Sequence, residues 1–167
     1  DFKQTLYMKS FLVIPLLLLL AQISYSFTAT PTKKLTDPSE ELKQADIDFS
    51  NLSKEKGMNY AFIEYVAFDG VLLRPFTYPI IGKEKVTEEL LANDDKNFQL
   101  TWQPLYGDVA ASGELGYTYG IFEMKIKKDD GSEEMRKGTY VSIWKKDKAG
   151  KWKFVLDTGN PGLEPKK

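Results

Sequence analysis

No cysteine and no histidine occur among the 167 residues. Without cysteine there is no disulfide framework, no thiol nucleophile and no site for a lipid-modified cysteine. Without histidine the chain lacks the commonest general base and the commonest zinc ligand. Any catalysis must therefore run on carboxylates, tyrosine, lysine, amides or bound water, and no metal or cofactor is expected. A surplus of charge is also missing: 23 basic residues face 24 acidic ones. A near-neutral, slightly acidic chain is a poor nucleic-acid binder, so no nucleic-acid partner is expected. Nor is there a hydrophobic run of spanning length. Phe11 to Ala21 is apolar but only eleven residues long, well short of the roughly 18–20 that a transmembrane helix needs.

What that run does have is the form of an export signal. Lys3 and Lys9 give a positive start, and Ser24 and Ser26 supply small residues for cleavage after Ser26. Met8-Lys9 itself resembles a signal start, which would set residues 1–7 upstream of it. The expectation is a cleaved signal over 1–26, a Thr-, Pro- and Lys-rich tether over 27–37, and one domain over 38–164. The product would be periplasmic or secreted, with no membrane attachment after cleavage. Residues 27–167, 141 in number, carry 21 basic and 23 acidic side chains, a net charge of −2. That length buries a real core without disulfides.

Asp37-Pro38-Ser39-Glu40 predicts a helix start: an aspartate cap, proline at the first position and an acid at the third. Leu42, Ala45, Phe49 and Leu52 follow as one helical stripe, and Gly57 fits the stop. A second helix is predicted over 58–67, ended by Asp69-Gly70, and a third over 82–92 with Val86 and Leu90 four apart. A short strand is expected over 71–74. From Phe98 the pattern turns to β, with strands predicted near 98–110, 115–128, 136–147 and 151–158. Ser112-Gly113, Asp130-Gly131 and Ala149-Gly150 mark the turns. Helices first and a strand meander after them argue an α+β domain with helices on one face of an antiparallel sheet.

Several stretches in this order carry a resemblance: ADIDFSNLSKEKG (45–57), AFIEYVAFDGVLLRP (61–75), PIIGKEKVTEEL (79–90), Trp102-Gln103-Pro104, VAASGELGYTYG (109–120) and GTYVSIWKKDKAGKWKFVLDTGNP (138–161). Together they resemble the SnoaL-like, ketosteroid-isomerase-like domains of the nuclear transport factor 2-like superfamily, small exported bacterial domains, many of unassigned function. The resemblance spans residues 38–161. It implies a cystatin-like cone, in which a curved antiparallel sheet wraps around N-terminal helices and leaves a pocket at its open end. Superfamily members include isomerases, cyclases, dehydratases and hydrolases, and also binding and dimerisation modules, so the fold does not by itself assign a reaction. A homodimer is the expected assembly.

Within such a cone, Asp157 near the end of the last strand is the candidate base. An inward position would raise its pKa by partial desolvation, whereas a rim position would leave it bonded to Arg74 or a turn amide. Tyr117 or Tyr119 is the candidate proton donor, alternation placing the two on one face. Tyr60 and Glu64, four apart on the second helix, either wall the pocket or face solvent. Arg74 either pairs with a carboxylate or holds an anionic substrate. Trp102, Tyr119 and Trp144 are candidates for an aromatic lining around a small apolar or aromatic ligand, against ordinary strand packing.

Three motifs are set aside. Asp157-Thr158-Gly159 matches the aspartic-protease triplet, but only eight residues follow it, too few for that fold. Gly113, Gly116 and Gly120 precede no helix start and read as turn and strand bends, not a phosphate loop. Asp46 and Asp48, two apart on a helix, diverge and make no metal site. The sequence thus predicts an exported domain that binds a small, largely apolar molecule; if the domain is an enzyme, the expected reaction is acid–base chemistry of isomerase, dehydratase or hydrolase type. The alternative is a non-catalytic interaction or dimerisation module.

Overall fold

The computed structural model describes residues 37–163. The expected signal, residues 27–36 of the tether and residue 164 lie outside the described residues. Among the described residues no helix is long and apolar enough to cross a membrane.

The first helix, α1 (Pro38–Lys56), starts as its sequence dictates. The Asp37 carboxylate accepts the Ser39 N–H at 2.9 Å, Pro38 sits in the first turn, and Lys54 and Lys56 lie at the C-terminal end, where the helix dipole favours cations. Gly57, at φ 92°, ends it. Helix α2 (Met58–Tyr65) is shorter than predicted, because Val66 already begins β1 (Val66–Leu73). Asp69-Gly70 is not a helix stop but part of an irregular stretch between Val66 and Val71, and it turns Phe68 out to solvent. A two-residue strand, β2 (Ile80–Ile81), and the predicted third helix, α3 (Lys83–Leu91), follow, the latter burying Val86 and Leu90. The meander is β3 (Phe98–Val109), β4 (Leu115–Lys127), β5 (Glu133–Lys146) and β6 (Trp152–Pro161).

The six strands form one curved sheet in the order β2-β1-β6-β5-β4-β3. All neighbours are antiparallel except β1 and β6, which run parallel, with Leu72 opposite Asp157. The expected sheet was antiparallel throughout. The difference arises because β1, with β2 on one side, has the last strand of the meander on its other side, and that strand runs in the same direction as β1. Register shifts in β1, β3 and at the β5–β6 pair bend the strands.

The concave face holds the core. Phe49 of α1 is its centre, with ring centroids of Trp102 at 4.5 Å, Tyr65 at 4.6 Å, Phe62 at 4.9 Å and Phe154 at 5.8 Å. Trp144 and Phe154 are fully buried beside it. This aromatic plug fills one part of the concavity and leaves the rest open.

Candidate functional site

Strand alternation determines which side chains meet inside the sheet. On β5, Tyr140, Ser142 and Trp144 are buried; on β4 it is Gly116, Thr118 and Gly120. On β6, Asp157 shares that face, opposite Ser142 on one side and Leu72 on the other. Beyond the aromatic plug a cavity of about 300 Å³ remains between α2, the end of β1 and the inner faces of β3 to β6. Its wall is mostly apolar, with Met58 and Phe62 from α2, Leu100 and Trp102 from β3, and Phe122 and Met124 from β4. The polar groups on it are Arg74, Arg136, Tyr140 and Asp157.

Asp157 is nearly closed off from solvent, and one carboxylate oxygen accepts the Ser142 hydroxyl at 2.6 Å. The other takes no bond from the described residues and is not sealed, so it opens onto the cavity. Burial pushes the Asp157 pKa up to about 7. The Ser142 hydroxyl opposes the rise, the Asp46 charge adds to it, and the Arg74 charge works against it. A carboxyl group with that value holds its proton below neutrality and releases it just above, which is the range a general acid or base needs.

Behind the wall lies a second carboxylate. Asp46 of α1 has no exposed surface; it accepts the Trp102 indole N–H at 2.7 Å and the Tyr140 hydroxyl at 2.7 Å. Burial raises its pKa, while Tyr140, Thr118 and Trp102 pull it down by hydrogen bonding. The Thr118 hydroxyl in turn accepts the Trp144 indole N–H at 2.8 Å. Tyr140 is pushed above the usual tyrosine range by burial first, then by the Asp46 charge. Since its O–H is committed to Asp46, Tyr140 presents an acceptor oxygen to a neighbouring group, not a donor.

No family model and no curated protein matches the sequence. Solved structures do match. A ketosteroid isomerase-like protein from Erwinia carotovora atroseptica superposes with a TM-score of 0.60 at 16% identity, covering 75% of this chain and 96% of that one. A nuclear transport factor 2-like protein with a cystatin-like fold from Novosphingobium aromaticivorans gives 0.59 at 13%, covering 72% and 79%. A nuclear transport factor 2-like superfamily protein from Salmonella enterica gives 0.59 at 12%, covering 76% and 92%. The chain has the nuclear transport factor 2-like, cystatin-like fold. At these identities the likeness carries the fold alone.

In this nuclear transport factor 2-like cone the residues singled out from sequence divide. Asp157, Arg74 and Trp102 share the cavity wall. Tyr117 and Tyr119 do not reach it: they lie on the outer face of β4, 40% and 45% exposed, grouped with Tyr106. Gly116, Thr118 and Gly120 take the inner positions instead, because the helices and Tyr140 need the room. A Cβ at Gly116 would stand 2.6 Å from the Leu42 side chain, and one at Gly120 would stand 2.9 Å from the Tyr140 ring. Trp144 lies in the plug, fully buried, and does not line the cavity. Tyr60 is exposed under the Lys56 ammonium, at 5.0 Å. Glu64 is exposed on another side of the molecule, beside an open hollow with Glu40 and Lys151.

Tyr140, one of the strand aromatics that the sequence offers for a pocket lining, does reach the cavity, whereas nothing in the sequence pattern singles out Phe122 or Ser142, and Asp46 is set aside there only as a metal ligand. A signal for Asp46 was present: it falls four residues after Leu42 and three before Phe49, in the buried stripe itself. Among the described residues no cluster of acids suits a metal ion.

Proposed function

We propose that the cavity binds a small, largely apolar molecule and that Asp157 exchanges a proton with it. The observation that carries this reading is a single buried carboxyl group with one oxygen open to an apolar cavity of about 300 Å³. That volume lies at the lower end of the range for small-molecule sites. In such a reaction Asp157 takes a proton from the ligand as a carboxylate, and the resulting acid returns it at a second position, as isomerisation or dehydration requires. Trp102 and Tyr140, both tied to Asp46, form a stiff wall against which the ligand is oriented. Tyr117 and Tyr119 take no part. The neighbour that is ketosteroid isomerase-like supports the reading by analogy of fold only.

The test is a thermal-shift panel of apolar ring compounds and small acids with residues 27–167 at two pH values. A ligand at 100 times its dissociation constant stabilises the fold by about 2.7 kcal/mol. Asp157→Asn is expected to keep binding and to lose turnover by a factor of about 100 or more. A blank panel with folded protein, or unchanged turnover in Asp157→Asn, contradicts the proposal.

A further inference from the structure

Arg74 stands out among the charges of the cavity. It follows β1 directly, two residues beyond Leu72, the strand partner of Asp157. A turn holds it there, the Arg74 carbonyl accepting the Thr77 N–H at 3.4 Å and the Thr77 hydroxyl at 3.3 Å. The guanidinium is half-buried in the cavity wall. Yet among the described residues no carboxylate lies within 4 Å of it. Arg136, the other cation on this wall, is satisfied by Glu134 at 2.6 Å. The charges around Arg74 are Glu89 on α3 and Asp157 on β6, both beyond pairing distance. A guanidinium half withdrawn from water with no partner is costly, and its planar fork matches a carboxylate.

We infer that the ligand of this cavity is an apolar monocarboxylate, its carboxylate paired with Arg74 and its ring or chain lying against Phe62, Leu100, Trp102 and Phe122. The inference rests on the small-molecule reading of the same cavity and adds the charge of the ligand to it. Asp157 does not cancel Arg74 in slightly acidic solution, because burial keeps its proton on. A bound carboxylate then has a cation on one side and a proton donor near the other.

The experiment compares 2-naphthoate with 2-naphthamide, probes of nearly the same shape that differ in charge, followed by tryptophan fluorescence at about pH 6, where 2-naphthoate is ionised. Wild-type protein is expected to bind the carboxylate roughly tenfold or more tightly than the amide. Arg74→Gln is expected to remove that preference while leaving 2-naphthamide within about twofold, and Arg74→Lys to restore part of it. Retained amide binding also shows that the variants are folded. If 2-naphthamide binds as well as 2-naphthoate, or Arg74→Gln weakens both equally, the inference is overturned and the small-molecule reading stands. If neither probe binds, both fall.

Discussion

At the scale of single residues, Asp46 bears the most consequence per atom. Its two oxygens receive the Trp102 indole and the Tyr140 hydroxyl, two groups that face the cavity on their other sides. Asp46→Ala leaves both donors without a partner, and each buried unsatisfied group costs about 1–3 kcal/mol. The expected loss is therefore about 2–6 kcal/mol, read from the urea midpoint at unchanged slope. Asp46→Asn keeps an acceptor for the indole and loses less. A stability for Asp46→Ala within about 0.5 kcal/mol of wild type, the usual size of a surface substitution, contradicts this reading. Asp46 was legible in the sequence only in hindsight. An aspartate inside a helical stripe looks solvent-facing when Ala45, next to it, completes an apolar pattern equally well. Asp157 was easier, because the apolar residues before it, Phe154 to Leu156, already suggest enclosure.

At the scale of elements, the helix starts and strand turns were legible, since capping residues, glycine turns and period-two alternation act locally. The Asp37 cap, the Gly57 stop and the Asp130-Gly131 turn are where local chemistry puts them. What was not legible is which face of β4 turns inward. Alternation groups Tyr117 with Tyr119 correctly but is silent about the side they take. That depends on residues far along the chain. Leu42 and Tyr140 approach the strand so closely that only glycine or a small residue fits opposite them, and the tyrosines are left outside. Gly120 shows this sharply, since a Cβ there would lie 2.0 Å from the Gln103 carbonyl oxygen on β3, a backbone atom that cannot step aside. Gly120→Ala is expected to destabilise by about 1–3 kcal/mol, as overpacked positions do, whereas Tyr117→Phe on the outer face stays within about 0.5 kcal/mol. Equal losses in chemical denaturation would mean that the face assignment is wrong. The early end of α2 has the same origin: Val66 is claimed by pairing with Phe154 on β6, a contact 88 positions away.

At the scale of the whole molecule, the fold encloses a carboxyl group that water would otherwise ionise, and stability carries the mark of it. The folded pKa of Asp157, about 7, lies above that of an unfolded aspartate. Between about pH 4 and 7 the folded chain binds more protons than the unfolded one, so its stability falls as pH rises and levels off above about 7. The full loss from this group is on the order of 4 kcal/mol. Asp46, also raised, adds a loss of the same sign. The exposed acids held below their ordinary range, Asp94, Asp130, Asp147 and Glu134, act in the opposite sense and only at lower pH. The measurement that bears most directly on the buried state of Asp157 is therefore urea unfolding of wild type and Asp157→Asn at steps from pH 5 to 8. Wild type is expected to lose a few kcal/mol of stability across that span, and Asp157→Asn much less. Parallel curves for the two proteins would show that Asp157 titrates as an ordinary exposed aspartate, and that the cavity does not hold the group the proposed chemistry requires.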